Sequence, residues 1–451
     1  MKLMDVELLS RIQFAVTIGF HYIFPPISIG LGLILVFMEG MYLKTRDPLY
    51  LNMTKFWVKV FGLVFAIGVA SGIVMEFQFG TNWSNYSRYV GDVFGSALAA
   101  EGIFAFFLES GFLAIVLFGW DKVTPGWHWF ATWMVMLGSH FSAIWIVVAN
   151  SWMQTPAGFH IVETPTGPRA EITDFWQVVF NPSTIDRLSH VFMGAWQAGA
   201  WFVLSVSAYY LLKKRHRDFA RQSMRIALVV ALIASIGQLV TGHGSAITVA
   251  ETQPAKLAAY EGQWETEDNA MLSIVGWVNE AEKSTMAIGV PGMLSWLIAF
   301  DTGHTVTGLN DFPEDELPPV NLTFQLYHLM VAIGMLLIAL SIAGVVLARM
   351  KKLETTRWFL WISVFAVILP QIGNQVGWAA AEIGRQPWIV YGLMKTADGI
   401  SPTVSASAVL TSLIMFSAIY LALFIMFVLL LDKKIKQGPF SEKLHKQKGM
   451  A

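Results

Sequence analysis

Apolar runs of about twenty residues recur along the whole chain, and in lipid only a helix or a closed barrel satisfies its own backbone over such a length. Nine runs are read as helical spans: 12–40, 55–78, 94–119, 127–152, 184–212, 222–243, 322–348, 357–384 and 404–432. A barrel would show segments of about ten residues with alternating polarity instead. The 451 residues are 55% hydrophobic and 14% charged, against roughly 25% charged in soluble domains. The expected fold is an all-α polytopic membrane protein of nine transmembrane helices, one membrane domain over 1–451 set in a lipid bilayer.

The connections alternate in basicity. Segment 41–59 carries Lys44, Arg46, Lys55 and Lys59; segment 213–225 reads KKRHRDFARQSMR; segment 349–357 holds Arg349, Lys351, Lys352 and Arg357; the tail after Leu431 is lysine-rich. The intervening connections have few Lys or Arg. Positive charge stays inside, so the N-terminus is expected outside and the C-terminus in the cytoplasm, as an odd number of spans requires. The first run lacks a small-residue cleavage site and is too long for a cleaved signal. The longest connection, 244–321, falls outside. It is acidic at Glu261–Asp268 and Asp311–Glu316, and its length points to a functional or flexible segment.

A net charge of −1 gives no reason to expect nucleic acid. There are no cysteines, which excludes disulfides, Cys-ligated iron–sulfur clusters and C-x-x-C-H haem attachment. A redox metal would have to be held by His, Met, Glu or Asp.

Polar residues inside the spans carry the functional signal. An ionisable residue deep in an apolar span costs about 2.5–3.5 kcal/mol on insertion scales. Glu382, near the end of the eighth span, has Arg385 three residues on, with Gln386 and Pro387 closing the helix. His21 lies about nine residues into the first span, and Pro25 should bend the helix there by removing the bond to the His21 carbonyl. Glu101 and Glu109 are eight residues apart in the third span, about 12 Å of rise and roughly 80° of rotation. His190 and Met330 sit at matching depth in the fifth and seventh. His21, Glu101, His190, Met330 and Glu382 fall in the outer half of the membrane, with Glu109 about two turns nearer the cytoplasm, and His, Met and Glu are axial ligands of haem iron or near relatives of them. Competing readings are plainer. A lone intramembrane His is commonly a packed, hydrogen-bonded residue, and most of the 21 methionines face lipid or core. The glutamates would also suit a proton-coupled transporter. His140 and His243 resemble His21 but show no role, while His128, His160, His216 and His445 lie near loops and read as solvated.

Several segments together resemble subunit I of cytochrome bd, the quinol-oxidising terminal oxidase of bacteria. They are LLSRIQFAVTIGFHYIF (8–24), TKFWVKVFG (54–62), MEFQFGTNWSNYSRYVGDVFG (75–95), EGIFAFFLESGF (101–112), ANSWMQTPAGF (149–159), ETQPAKLAAYEGQWET (251–266) and GWAAAEIGRQPW (377–388). They occur in order over almost the whole chain, and the TNWS and GRQPW stretches beside the paired-glutamate helix are specific.

The resemblance implies a subunit with three non-covalent haems: low-spin haem b558, and high-spin haem b595 and haem d (cis-heme d). His190 and Met330 match the b558 ligands. His21 and Glu382 match the ligands of the high-spin pair, with the haem on each left open. Glu101 and Glu109 match glutamates near that pair, Trp378 a tryptophan between haems, and Arg385 an arginine pairing with Glu382 or a haem propionate. Lys256 and Glu261 match the residues tied to quinol oxidation in a short form of the quinol-binding loop. His328 stands where relatives often carry Arg.

The implied reaction oxidises quinol at the outer face and reduces O2 to water with cytoplasmic protons, building a gradient without pumping. Asp121, Lys59, Ser110, Glu109 and Glu101 are read as a climbing polar path. The implied setting is the bacterial cytoplasmic membrane. The implied partners are a haem-free subunit II in a heterodimer and small single-helix subunits. The alternatives are a haem b quinol dehydrogenase passing electrons elsewhere and a cofactor-free transporter.

Overall fold

The computed structural model describes residues 5–439, so the lysine-rich tail is seen only to that point and His445 lies outside the described residues. Helix α1 (Val6–His21) starts at Asp5, whose carboxylate accepts from Glu7 N, and α2 (Phe24–Thr45) continues it past a break at Tyr22–Ile23. Pro25 and Pro26 stand in the first turn of α2, so the break falls where the missing proline N–H predicts. Helix α3 (Pro48–Thr81) begins with an Asp47 cap and Pro48 in the first turn. A short α4 (Ser84–Tyr89) leads to α5 (Gly91–Glu101).

The third expected span departs from a simple helix. A π-helical turn over Gly102–Phe106 joins α5 to α6 (Phe107–Phe118). Helix α7 (Pro125–Gln154) returns, capped by Thr124. A hairpin of β1 (Phe159–Thr164) and β2 (Gly167–Ile172) and a short α8 (Phe175–Val179) precede α9 (Thr184–Leu212). Helix α10 (Arg217–Thr252) extends nine residues beyond the expected end of the sixth span. The segment expected as a loop from 244 therefore opens with two helical turns.

The rest of that segment is folded. It contains α11 (Pro254–Glu261), the hairpin β3 (Leu272–Asn279) and β4 (Ser284–Val290), and α12 (Met293–Ala299). Helix α13 (Val320–Arg349) follows. The eighth expected span is two helices, α14 (Arg357–Phe365) and α15 (Ile368–Ile383), bent by 40°. After the small hairpin β5 (Trp388–Val390) and β6 (Met394–Lys395) comes α16 (Ala406–Gln437), capped by Ser405. Among the described residues, seven helices are long and apolar enough to cross a membrane, α1–α2 counted as one, and the bent pair makes up to eight. The third expected span, 94–119, is not among them, because the π turn divides it into α5 and α6. The molecule is an all-α multi-helix membrane bundle, and among the described residues its connections carry three two-stranded hairpins.

Helices α2 and α9 meet backbone to backbone. A Cβ on Gly30 would lie 2.4 Å from Ala195 O, and one on Gly199 would lie 2.4 Å from Gly30 C. Small residues let membrane helices approach this closely, and packing then replaces the absent hydrophobic drive between them. Around this contact runs the main core, with Phe24, Trp57, Phe61, Trp201 and Phe219. A second cluster of Trp83, Tyr86, Phe94, Trp152 and Val390 closes the end that carries the long connections, here termed the loop end.

Candidate functional site

Glu382 lies in the last turn of α15 at the loop end. Its Oε2 accepts from Arg385 Nη2 at 2.5 Å, and its Oε1 accepts from Asn150 Nδ2 (3.1 Å) and Gln154 Nε2 (3.2 Å) of α7. Arg187 of α9 reaches within 4.0 Å of the same oxygen and donates to the Asn150 carbonyl and side chain. Arg385 sits in the turn after α15 and is 3% exposed. Proline ends the helix there, and the turn folds the guanidinium back onto the carboxylate.

Lys256 of α11 donates from Nζ to Gln154 Oε1 at 2.6 Å. Gln154 therefore bridges Lys256 in the long connection to Glu382 in the bundle. Burial, then repulsion from Arg187 and Arg385, pushes the Lys256 amine well below its ordinary range. Arg187, Arg385 and Lys256 surround one carboxylate, and Arg385 Nη1 is buried with no protein partner. Such an excess of buried cation is costly alone and suits an anionic ligand. An open cleft of about 320 Å³, lined by Lys256, Phe312, Glu316, Arg385, Trp388 and Tyr391, leads to this cluster.

Glu261 ends α11 and is 3% exposed. Ser273 N donates to its Oε2 at 2.9 Å, while Oε1 has no partner. Burial pushes this carboxyl up to about 8, against the pull of the Ser273 bond. Tyr260 beside it stacks on Tyr327 of α13 at 4.4 Å.

His21 and His190 share one local device. Ser71 Oγ donates to Ile67 O (2.9 Å), so it accepts from His21 Nδ1 at 3.0 Å. Thr241 Oγ1 donates to Gly237 O (2.8 Å), so it accepts from His190 Nδ1 at 3.1 Å. In both rings the proton is thereby assigned to Nδ1 and the lone pair to Nε2, the state a metal ligand needs. Gln238 Nε2 donates to that lone pair of His190 at 2.7 Å. His21, His190 and Met330 each also face a glycine. A Cβ on Gly72 would be 3.1 Å from His21, on Gly242 3.2 Å from His190, and on Gly377 2.8 Å from Met330 Sδ.

Among the described residues no three His, Asp or Glu side chains close on one metal ion. His21, His190 and Met330, each held singly by a hydroxyl or a glycine on a neighbouring helix, would suit an iron that a porphyrin already holds.

Depth is consistent too. Asn374 of α15 touches Gly194 of α9. One turn toward the loop end, α9 presents His190 and α15 presents Gly377 against Met330, so both lie about 5–6 Å from that contact. Trp378 follows Gly377, meets Tyr22 edge-on at 5.7 Å and lies under Arg187 at 5.3 Å. It thus stands between the His190–Met330 region and the His21–Glu382 region.

Glu101 and Glu109 both bond to α7. Ser142 Oγ donates to Glu101 at 2.6 Å, and Ser139 Oγ donates to Glu109. Ser110 is exposed on this chain instead, as are Lys59 and Asp121, so none of these three meets the two carboxyls directly. A second departure concerns His128. Read as solvated, it is 2% exposed, with Nδ1 2.6 Å from Glu39 and its ring stacked on Trp120 at 3.8 Å. His140, satisfied by Met136 O and Trp196 Nε1, is a packed residue.

The chain matches the family model for "Cytochrome bd terminal oxidase subunit I" over residues 9–439. It is 42% identical to cytochrome bd ubiquinol oxidase subunit 1 of Bacillus subtilis (strain 168), over 98% of this chain and 96% of that one. The chain belongs to the cytochrome bd terminal oxidase subunit I family. It is also 35% identical to cytochrome bd-II ubiquinol oxidase subunit 1 of Escherichia coli (strain K12), over 96% and 97% of the two chains. That alignment runs 509 positions against 451 residues here, so the E. coli chain carries residues this one lacks. The bd oxidase structure from Geobacillus thermodenitrificans superposes with a TM-score of 0.90 at 32% identity, covering 97% of this chain and 100% of that one.

Family membership makes this the catalytic subunit of a quinol:O2 oxidoreductase, a terminal respiratory oxidase. It is a multi-pass membrane protein homologous to those of bacterial cytoplasmic membranes. Haem cofactors and a multi-subunit assembly come with the cytochrome bd family. The dehydrogenase and transporter readings fall away.

Arg187, Asn150 and Gln154 are the residues the sequence reading passed over. Asn150 and Gln154 lie inside the ANSWMQTPAGF stretch, but no spacing rule ties α7 to a carboxylate more than 200 residues away.

Proposed function

We propose that the loop end of this bundle oxidises quinol at Lys256 and Glu261 and couples it to haems held by His190, Met330, His21 and Glu382. The supporting observation is the unbroken chain Lys256–Gln154–Glu382–Arg385, which joins the long connection to the Glu382 carboxylate in the bundle. His190 and Met330 would hold haem b558, and His21 and Glu382 the high-spin haems b595 and d. The tautomer each histidine hydroxyl partner selects fits that role, and Arg187 and Arg385 offer charge for propionates. When bound, the haems accept electrons from quinol and deliver them to O2.

The protein's own part is proton handling and orientation. Quinol loses two protons as it is oxidised. Glu261 Oε1, buried and unpartnered, is placed to take one, and Lys256, whose ammonium burial disfavours, is placed to bind a quinol oxygen. Glu101 and Glu109, facing the α7 hydroxyls, are placed to pass protons in from the opposite end. On this reading Gly91–Phe118 and the bent pair α14–α15 are both spans, which gives nine, with the N-terminus outside and the C-terminus cytoplasmic. The haem-free subunit II and small single-helix subunits complete the assembly.

Lys256→Ala and Gln154→Leu test the chain. Quinol-driven O2 uptake should fall by about 100-fold, the scale of a lost positioned acid–base group, with haem content unchanged. Artificial donors that bypass the loop should restore much of it. Equal loss with both donors, or loss of haem, would show the chain to be structural.

A further inference from the structure

The β3–β4 hairpin presents an apolar face to the outside of the molecule. Val275 pairs with Ile288 and Trp277 with Met286 across the strands, and these four are 60%, 72%, 64% and 83% exposed. On the other face Val278 and Ser273 are buried against the bundle. A hairpin in water would not keep such a surface bare without a reason.

Its position relative to α13 supplies the reason. Asn321 Oδ1 accepts from Val278 N (3.2 Å), Gln325 Nε2 donates to Gly276 O (2.8 Å), and His328 Nε2 faces Ser273 O (3.0 Å). Strand β3 therefore runs antiparallel to α13 along its first two turns, and its base lies about 10 Å further into the bundle than Asn321. That base is level with residues of the 322–348 apolar run. The exposed Leu322 and Leu329 of α13 continue the same surface. The three α13 side chains thus meet Val278 N, Gly276 O and Ser273 O of β3 without water. Within the hairpin itself charge sits at the far end, where Glu280, Glu282 and Lys283 form the turn, while exposed Glu267 and Asp268 precede its base. Trp277 lies between the two ends, as indoles do at an interface.

We propose that the β3–β4 hairpin dips into the bilayer, its Val275–Trp277–Met286–Ile288 face covered by the acyl chains of the leaflet at the loop end. The consequence rests on the proposed role of Glu261. Ser273 N and Oγ hold the Glu261 carboxyl and carbonyl, so lipid on the outer face of the hairpin fixes the depth at which that carboxyl waits for a membrane-borne quinol.

The absence of cysteine from the chain permits a direct test. Met286→Cys, Ile288→Cys and Lys283→Cys are each made in the complete oxidase, spin-labelled in lipid nanodiscs and checked for unchanged haem content. The signal of the labelled parent complex is subtracted. Labels at 286 and 288 should collide with O2 several-fold more readily, relative to a water-soluble nickel chelate, than the label at 283. Nickel access at 286 and 288 equal to that at 283 would overturn lipid contact and place the face in water. Shielding from both reagents would overturn it in favour of a protein subunit covering the face. Membrane depth with normal response of Glu261→Gln to pH would leave the hairpin reading intact and remove only its consequence for quinol.

Discussion

Single residues in this bundle are held by partners that decide what they can do. His190 and Met330 were proposed as one ligand pair, so His190→Ala and Met330→Leu should each abolish the low-spin b signal and leave most high-spin absorbance. A six-coordinate low-spin spectrum surviving in both variants would refute the pair. Glu261 makes a pH prediction. Its carboxyl, pushed up to about 8 by burial, is protonated at neutral pH and accepts a proton only once ionised. Quinol-driven turnover should therefore climb as pH rises toward 8, and Glu261→Gln should be slow and flat over that range. The same shift bears on stability. The folded chain binds a proton that the unfolded chain releases between about pH 4.5 and 8, so this contribution is full below 4.5 and lost as pH rises through 8. Glu382 shows why a charged partner alone does not identify a role. Stripping Arg385 from it would still leave Arg187, Asn150 and Gln154 on the carboxylate, whatever the carboxylate does in turnover. At this scale the ionisable candidates were legible, because a charge in an apolar run is expensive enough to be noticed. Their partners Gln154, Asn150 and Arg187 were not, since neutral or terminal polar residues carry no such signal.

Elements set how these residues face. Glu101 and Glu109, eight residues apart, would be offset by roughly 80° on a regular α-helix. The π turn at Gly102–Phe106 absorbs one residue, so the step turns like seven α-helical residues, about 20° short of two full turns. Both carboxyls then face α7, where Ser142 and Ser139 meet them. Nothing in the local apolar pattern distinguishes a π turn from an α turn, so this alignment was hidden. The order along the helix assigns different work. Glu101→Ala should disturb the high-spin spectrum and lower haem content, while Glu109→Gln should keep all haems and slow turnover, because an amide cannot relay a proton. Haem quantitation with steady-state O2 consumption checks both, and full activity in Glu109→Gln would remove it from the proton path. The break between α1 and α2 was predictable from Pro25. The bend between α14 and α15 fell inside a span read as one helix, because the apolar run is uninterrupted. Pro370 stands in the first turn of α15, so the break at Ala366–Val367 lies where its missing N–H puts it.

The whole molecule is a helical bundle whose proposed quinol site lies at one end, and its orientation is the remaining prediction at this scale. With the loop end outside, Lys283→Cys should react with a membrane-impermeant maleimide on intact cells and Lys214→Cys only after permeabilisation. The reverse pattern would invert the proposed topology and place quinol oxidation on the cytoplasmic face. The sequence by itself determined the membrane class, the approximate span ends, the charge asymmetry and the expensive intramembrane side chains, because the bilayer penalises polarity residue by residue and composition records that penalty. Only the tertiary structure decided that Gln154 joins Lys256 to Glu382, that Gly30 and Gly199 bring α2 and α9 into backbone contact, and that His128 is buried on Glu39. Those outcomes depend on which helix faces meet across hundreds of residues, and side-chain packing between helices leaves no periodic trace in the strand of letters that encodes it.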